Sequence, residues 1–347
     1  MFLFSASTAA AASYGGGYLS DRVGRKSPIV LGLLGQSIAI AGLLFVGHHV
    51  VAGFAVVVLA GVLGAPARSS STAIVADLVP QRRHEAAYAT VRVATNLGAV
   101  LGPPLGGLLL LGSSWSAFLT GVVVLGLVAA GVAARWLPDP RPRHDDTGAR
   151  RGASTILGDT SFLFLIAATF FGFVVYVAFE TVLPIALVSS YGLSASTWGF
   201  LAAINPVLVT LCQRSVTRRV ADVPPGRKIA IALVLMGFPF LLLLAASSIA
   251  VVVVVIVVFV VGEMLWSPTA LALAGRLAPP TLRGAYMGAY GASSTVAWTV
   301  APFVALQLRG AAGDGAMWTF FAGAAVAGAL TAAAAARRAP AAEGVRD

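Results

Sequence analysis

Eleven apolar stretches, each near the length of helix that crosses a bilayer, limit how this chain can fold more than any other feature. They run over 2–19, 28–47, 51–77, 86–111, 115–136, 160–189, 196–213, 229–247, 249–275, 284–307 and 316–336. About 20 apolar residues suffice to span a hydrocarbon core of about 30 Å. Only 10% of the residues are charged and 58% are hydrophobic, against about 25% charged in a soluble domain. There is too little polar surface to cover a water-soluble fold, so a soluble enzyme and a disordered chain are excluded. In lipid every backbone N–H and C=O needs an internal partner, which makes stretches of this length helices. The expectation is an all-α membrane protein. The stretch 2–19 has no positive charge before it, as a signal peptide requires, and reads as a span.

Basic residues set the orientation. Eleven spans alternate the loops between two sides, and twenty of the 23 basic residues fall on one of them. By the positive-inside rule that side is cytoplasmic, which puts the C-terminus inside and Met1 outside. His48 and His49 then sit in an outer turn. Arg309 is the single basic residue on the outer side, while Arg68 and Arg92 lie within spans. The net charge of +10 reads as anchoring to an anionic leaflet rather than as nucleic-acid binding. Cys212 is the only cysteine, which excludes an internal disulfide and a multi-cysteine metal site. Neither a metal nor a cofactor is expected.

Two halves flank the polar stretch 137–158, and landmarks recur between them in order. Gly24-Arg25-Lys26 corresponds to Gly226-Arg227-Lys228, Pro66 to Pro268, Pro80 to Pro279, and Pro103 to Pro302, at offsets of 202, 202, 199 and 199 residues. Halves related by an axis along the membrane normal are expected to repeat in this parallel manner. The predicted domains are an N-terminal bundle over 1–136, a cytoplasmic linker over 137–158, a C-terminal bundle over 159–338 and a cytoplasmic tail over 339–347. The bundles hold five and six spans.

One loop carries a specific pattern. Gly17-Tyr18-Leu19-Ser20-Asp21-Arg22-Val23-Gly24-Arg25-Lys26 resembles the G-x-L-x-D-R-x-G-R-K loop of the major facilitator superfamily. Gly98-Ala99-Val100-Leu101-Gly102-Pro103-Pro104-Leu105-Gly106-Gly107 is similar to the G-x-x-x-G-P-x-x-G-G motif of that family's drug:proton antiporter branch. The resemblance implies two pseudo-symmetric helix bundles, with the family's first helix absent and its helices 2 to 12 present. It also implies a cytoplasmic gate built from Gly17, Asp21, Arg22, Gly24, Arg25, Lys26 and Asp77. In that gate Asp21 faces the N-terminal end of the helix starting near Gly284, and Arg25 pairs with Asp77. The family often places an arginine four residues before a glycine in its fourth helix, and that position here is Ala60. Arg68 lies two turns deeper.

The polar residues inside spans are the remaining candidates. Gly98, Gly102 and Gly106 form one stripe at i, i+4, i+8, and small residues let helices approach closely in lipid. Pro103 and Pro104 remove backbone donors from the same helix, and Gly107 completes the motif. Arg92, Thr95 and Asn96 form a second stripe. Arg68 shares a face with Gly64, Ser71 and Thr72. Glu180 and Glu263 are the two acids well inside spans, and charged groups there usually face a cavity or a partner. A carboxyl group in lipid loses the hydration that favours its charge, as a proton carrier requires. Thr169, Phe173, Tyr176 and Glu180 share a face suited to a lipophilic cargo, a cationic one included. Glu263 shares its face with Trp266, Ser267 and Ala270. Trp198, Asn205 and Cys212 on one span, and Tyr286, Tyr290, Ser293 and Ser294 on another, read as packing residues.

The function that the resemblance implies is proton-coupled export of small lipophilic or drug-like molecules across a bacterial plasma membrane. Its partners are the substrate, protons and membrane lipids, with no nucleic acid, and a monomer is expected. A facilitator or symporter for a small metabolite is the nearest alternative and would want more amide and charged residues in the cavity. A polytopic enzyme would need clustered His, Cys or acidic residues at a span end, and no such cluster is visible. A non-transporting fragment is the third alternative.

Overall fold

The computed structural model describes residues 2–47, 49–112, 114–140, 152–245 and 248–338. His48, the centre of the expected linker (141–151) and the expected tail (339–347) lie outside them. Among the described residues every regular element is helical. The long helices are α1 (Phe2–Val23), α2 (Lys26–Val46), α3 (Val50–Leu78), α4 (His84–Gly112) and α5 (Trp115–Trp136). A short α6 (Gly152–Gly158) precedes α7 (Thr160–Val177), which continues through a π turn (Ala178–Val182) into α8 (Leu183–Ser189). Then follow α9 (Ala195–Arg219), α10 (Pro225–Gly237) with a 3-10 extension (Phe238–Leu244), α11 (Ile249–Leu277) and α12 (Arg283–Arg338).

Nine helices among the described residues are long and apolar enough to cross a membrane, against the eleven stretches read from the sequence. Two physical reasons account for the difference. Helix α1 is long enough, but Ser5, Ser7, Thr8, Ser13, Tyr14 and Gly15-Gly16-Gly17 dilute its apolar residues. Helix α12 has 56 residues, about 84 Å at 1.5 Å per residue, far more than one core thickness. It is two helices meeting at Gly313, whose φ of 79° and ψ of −178° are not helical. That backbone region is open to glycine and strained for any residue with a Cβ.

The chain divides into two compact units: Met1–Gly152 with Ala278–Thr299, and Ala153–Leu277 with Val300–Asp347. In the first, α3 packs along both α1 and α2, and α2 also packs on α5. Small residues permit this. A Cβ on Gly16 would stand 2.6 Å from Pro66 Cα, and one on Gly32 would stand 2.8 Å from Ala67 Cβ. In the second unit, α11 is the central element, contacting α7, α9 and α10. Its buried residues include Phe259, Val260, Gly262, Glu263, Met264 and Trp266.

Prolines shape the second unit. Pro184 has no N–H for the Glu180 carbonyl, and its ring crowds that carbonyl. The backbone answers with the π turn Ala178–Val182, which carries Glu180. In α11, Pro268 likewise leaves the Met264 carbonyl without its helical donor.

The orientation read from the basic loops gives a direct test. With Cys212 replaced by Ser, a cysteine at His49 should react with an impermeant maleimide on intact cells. One at Asp222 should react only after permeabilisation; both positions are exposed. The reverse pattern would invert the orientation.

Candidate functional site

In the first unit four charged side chains interlock. The Asp21 carboxylate accepts from the backbone N–H groups of Gly284 at 2.7 Å and Ala285 at 2.8 Å. Both belong to the first turn of α12, whose N–H groups have no intrahelical acceptor and whose dipole favours an anion. Arg25, 1% exposed, donates through Nη1 to Asp21 Oδ1 at 2.7 Å and to Ser20 Oγ at 2.8 Å. Its Nε donates to Asp77 Oδ2 at 2.6 Å. Arg283 Nη1 donates to the other oxygen of Asp77 at 2.8 Å. The N-terminus of α12 is thus gripped twice, by Asp21 through its backbone and by Asp77 through Arg283.

The glycines of this loop serve the close approach. A Cβ on Gly17 would collide with the carbonyl of Gly284. Gly24 has φ of +94°, and a Cβ there would stand 2.8 Å from Asp139 Oδ1, which accepts from the Lys26 N–H at 3.2 Å. Arg22 is exposed and donates to Tyr18 Oη at 2.5 Å, with its guanidinium 4.6 Å from that ring. Arg283 was read from the sequence only as a topology signal. A cation at a helix N-terminus opposes the dipole, and that mismatch was the available sign that it needed an acid.

The second sequence motif lies apart from this cluster. Among the described residues nothing approaches the Cβ positions of Gly98, Gly102 or Gly107 within 4 Å, and only Gly106 has a neighbour, Phe118 at 3.0 Å. Pro103 and Pro104 lie within α4. Asn96 donates to the Arg92 carbonyl of its own helix at 3.0 Å. Arg92 is half-buried and lies near enough to Tyr290 for its charge to act there. Arg68 is exposed on α3 and donates to the Gly61 carbonyl at 3.1 Å.

In the second unit, Glu263 is 0% exposed and its Oε2 accepts from Asn205 Nδ2 on α9 at 2.7 Å. Along α11 it lies between Phe259 and Trp266, one turn to either side. Phe259 stacks on Phe179 at 4.8 Å and lies 6.0 Å from Tyr176. Trp266 meets Phe173 edge-on at 4.8 Å. Trp266 fits because Gly172 lacks a Cβ, which would stand 2.5 Å from the indole. Glu180 is exposed at the π turn and accepts from Tyr176 Oη at 3.1 Å. It is close enough to Glu263 for the two charges to interact.

Helix α9 also repairs the proline gap next to this carboxylate. Buried Gln213 donates through Nε2 to the Met264 carbonyl at 2.9 Å and to Thr217 Oγ1 at 3.0 Å. Asn205 and Gln213 therefore fix consecutive residues of α11. Neither belonged to the candidates drawn from the sequence, where Asn205 read as packing. A polar residue facing an interior proline across a helix pair was the only signal. Among the described residues no group of three or more His, Cys, Asp or Glu could hold a metal ion.

Residues 1–302 match the family model described as Major Facilitator Superfamily. The chain is 24% identical over 347 residues to a Na(+), Li(+), K(+)/H(+) antiporter from Planococcus maritimus, covering 89% of this chain and 80% of that protein. It is 25% identical over 301 residues to the uncharacterized MFS-type transporter YqjV of Bacillus subtilis (strain 168), covering 83% and 72%. Among solved structures, the human organic anion transporter MFSD10 (TETRAN) superposes with a TM-score of 0.80 at 21% identity, over 95% of this chain and 82% of that one. A bacterial homologue of the iron transporter ferroportin in an outward-facing state gives 0.68 at 18% identity, over 97% and 88%. Both structural likenesses speak to the fold.

The proline repair predicts a rescue. Gln213→Leu leaves the Met264 carbonyl buried without a donor, a loss of about 1–3 kcal/mol, read as a lowered thermal midpoint in detergent. In a Pro268→Ala background the helix regains its own N–H donor. The same Gln213→Leu change should then cost less than half as much.

Proposed function

Because the chain belongs to the Major Facilitator Superfamily, we propose that it exports small lipophilic molecules in exchange for protons, with a cavity that opens alternately to the two sides. Its class as a multi-pass, all-helical transporter follows from the family. The proton coupling, the direction and the cargo are our reading. So is the orientation, with the C-terminus in the cytoplasm and the segments before and after 137–158 acting as two related halves.

The observation that carries this reading is the buried Glu263–Asn205 pair. An ionisable side chain in the middle of a membrane helix is costly and is retained for a task. The Asn205 amide donates to the charged form and, rotated, offers its oxygen to the protonated acid. Glu263 can then change protonation state without losing its hydrogen bond. Around it, Phe173, Tyr176, Phe259 and Trp266 provide an apolar aromatic lining, suited to lipophilic cargo. Glu180, exposed at the π turn, is the acceptor through which a proton reaches Glu263 or the contact that sets cargo range. An antiporter that exchanges alkali cations for protons is among the chain's relatives, which favours exchange over facilitation.

In this reading the cluster of Asp21, Arg25, Asp77 and Arg283 is the cytoplasmic gate. It secures the N-terminus of α12 while the cavity is closed on that side.

Proteoliposomes with an imposed pH gradient provide the test. Glu263→Gln should abolish uphill accumulation and keep downhill exchange, since the amide mimics the protonated acid. Glu180→Gln should change cargo range more than coupling. Uphill accumulation at the parental rate by Glu263→Gln would place the proton site elsewhere. Asp21→Asn should reduce transport at least fivefold with the protein still in the membrane. Unchanged kinetics would leave Asp21 a topology signal only.

A further inference from the structure

The first unit holds a charge that its own residues do not neutralise. Arg68 stands ten residues from the inner end of α3, about 15 Å along the axis and near the middle of the membrane. The acids of this unit among the described residues are Asp21, Asp77, Glu85 and Asp139, at helix ends or in a loop. None of them pairs with Arg68; the Arg68 guanidinium spends one N–H on the Gly61 carbonyl. A guanidinium carries five donors in a planar fork, and it is not left facing hydrocarbon without a partner or water.

Next to it the fold has made room. The Cβ position of Gly64 lies 2.5 Å from Gln36 Oε1 and 3.2 Å from Arg68 Nη1. Any larger residue at 64 would push apart the two polar groups that meet over this glycine. Gln36, half-buried on α2, makes no hydrogen bond within the described protein. A guanidinium and a carboxamide oxygen therefore both come close to Gly64 at mid-membrane, and among the described residues no acid of this unit pairs with Arg68.

We propose that Arg68 and Gln36, meeting over Gly64, form a binding site for the carboxylate of an amphipathic organic anion, so that the cargo of this transporter carries a negative head on an apolar body. The inference rests on the transporter reading above and narrows its substrate class. A fork of parallel N–H groups matches a carboxylate bidentately, and the Gln36 amide, turned over so that its N–H2 replaces the oxygen now at Gly64, adds a further donor. A cationic cargo would meet repulsion from Arg68 in a medium that screens charge poorly.

Equilibrium binding to the full chain in phosphatidylcholine nanodiscs tests this with no pH gradient present. A failure of proton coupling therefore leaves the assay untouched. The probes are naphthalene-1-carboxylate, the neutral naphthalene-1-carboxamide and the cation 1-naphthylmethylammonium, at pH 7.5. The carboxylate should bind saturably and at least tenfold more tightly than the other two. Arg68→Gln should weaken it at least tenfold, and Arg68→Lys should fall between, because an ammonium keeps the charge and loses the fork. Gln36→Leu keeps the guanidinium and should weaken the carboxylate alone, by threefold or more, which serves if Arg68→Gln does not assemble. The proposal is overturned if the carboxylate does not bind saturably, or if the amide or the cation binds as tightly. An unchanged carboxylate affinity in Arg68→Gln overturns it too. So does Arg68-dependent displacement by phosphatidylglycerol added to the disc, which would assign the site to a lipid headgroup.

Discussion

A bilayer core supplies no hydrogen bonds, so a backbone carbonyl released by a proline must find its partner inside the protein. Two such carbonyls organise the second unit. Pro184 forces the π turn that holds Glu180, and Pro268 frees the Met264 carbonyl that Gln213 satisfies from α9. The second repair has a side effect. It ties α9 to α11 at the residue following Glu263, while Asn205 ties the same pair at Glu263 itself. The buried carboxylate thus sits on a segment of α11 whose position is set by side chains of another helix. Without the proline, the ordinary helical ladder would make Gln213 unnecessary.

The charged groups follow a related logic of compensation. At one end of the first unit Asp21, Arg25, Asp77 and Arg283 satisfy one another and two amides of α12. Deeper in the membrane the compensation is partial. Glu263 accepts from the Asn205 amide, and Arg68 donates to a backbone carbonyl. A neutral hydrogen-bond partner leaves an ionisable group able to change its state or its company, and the transport roles we propose rest on these two groups.

Long apolar runs dictate helices whatever their neighbours, which is why the all-helical class was legible in the composition and spacing of the chain. Helix α1 and helix α12 were harder. The first is diluted by serine and glycine, and the second depends on the backbone angle of a single residue, Gly313. The loop motif drew attention to Asp21, Arg25 and Asp77, which the fold brings together. Arg283, Asn205 and Gln213 stand 51 to 206 residues away from the groups they serve, and each bond is local in space only. No periodicity within one helix encodes such a pairing. The glycine stripe of α4 was plain in the sequence, and within the first unit no described residue comes within 4 Å of the Cβ positions of Gly98 and Gly102.

The four charges around Arg25 sum to zero, but not on each side of the contact. Asp21, Arg25 and Asp77 together carry one negative charge, and Arg283 on α12 carries the balancing positive one, added to the partial positive end of its helix. Parting α12 from the other helices would therefore create two oppositely charged faces. Over the first ångström or two, too narrow a crack to admit water, that separation meets the full attraction of a poorly screened medium. Once a water layer enters, both faces are hydrated and the attraction falls steeply. The resistance is concentrated at the start of the movement, so the contact behaves as a threshold rather than a spring. It holds without creep and, once wetted, has little tendency to stop halfway.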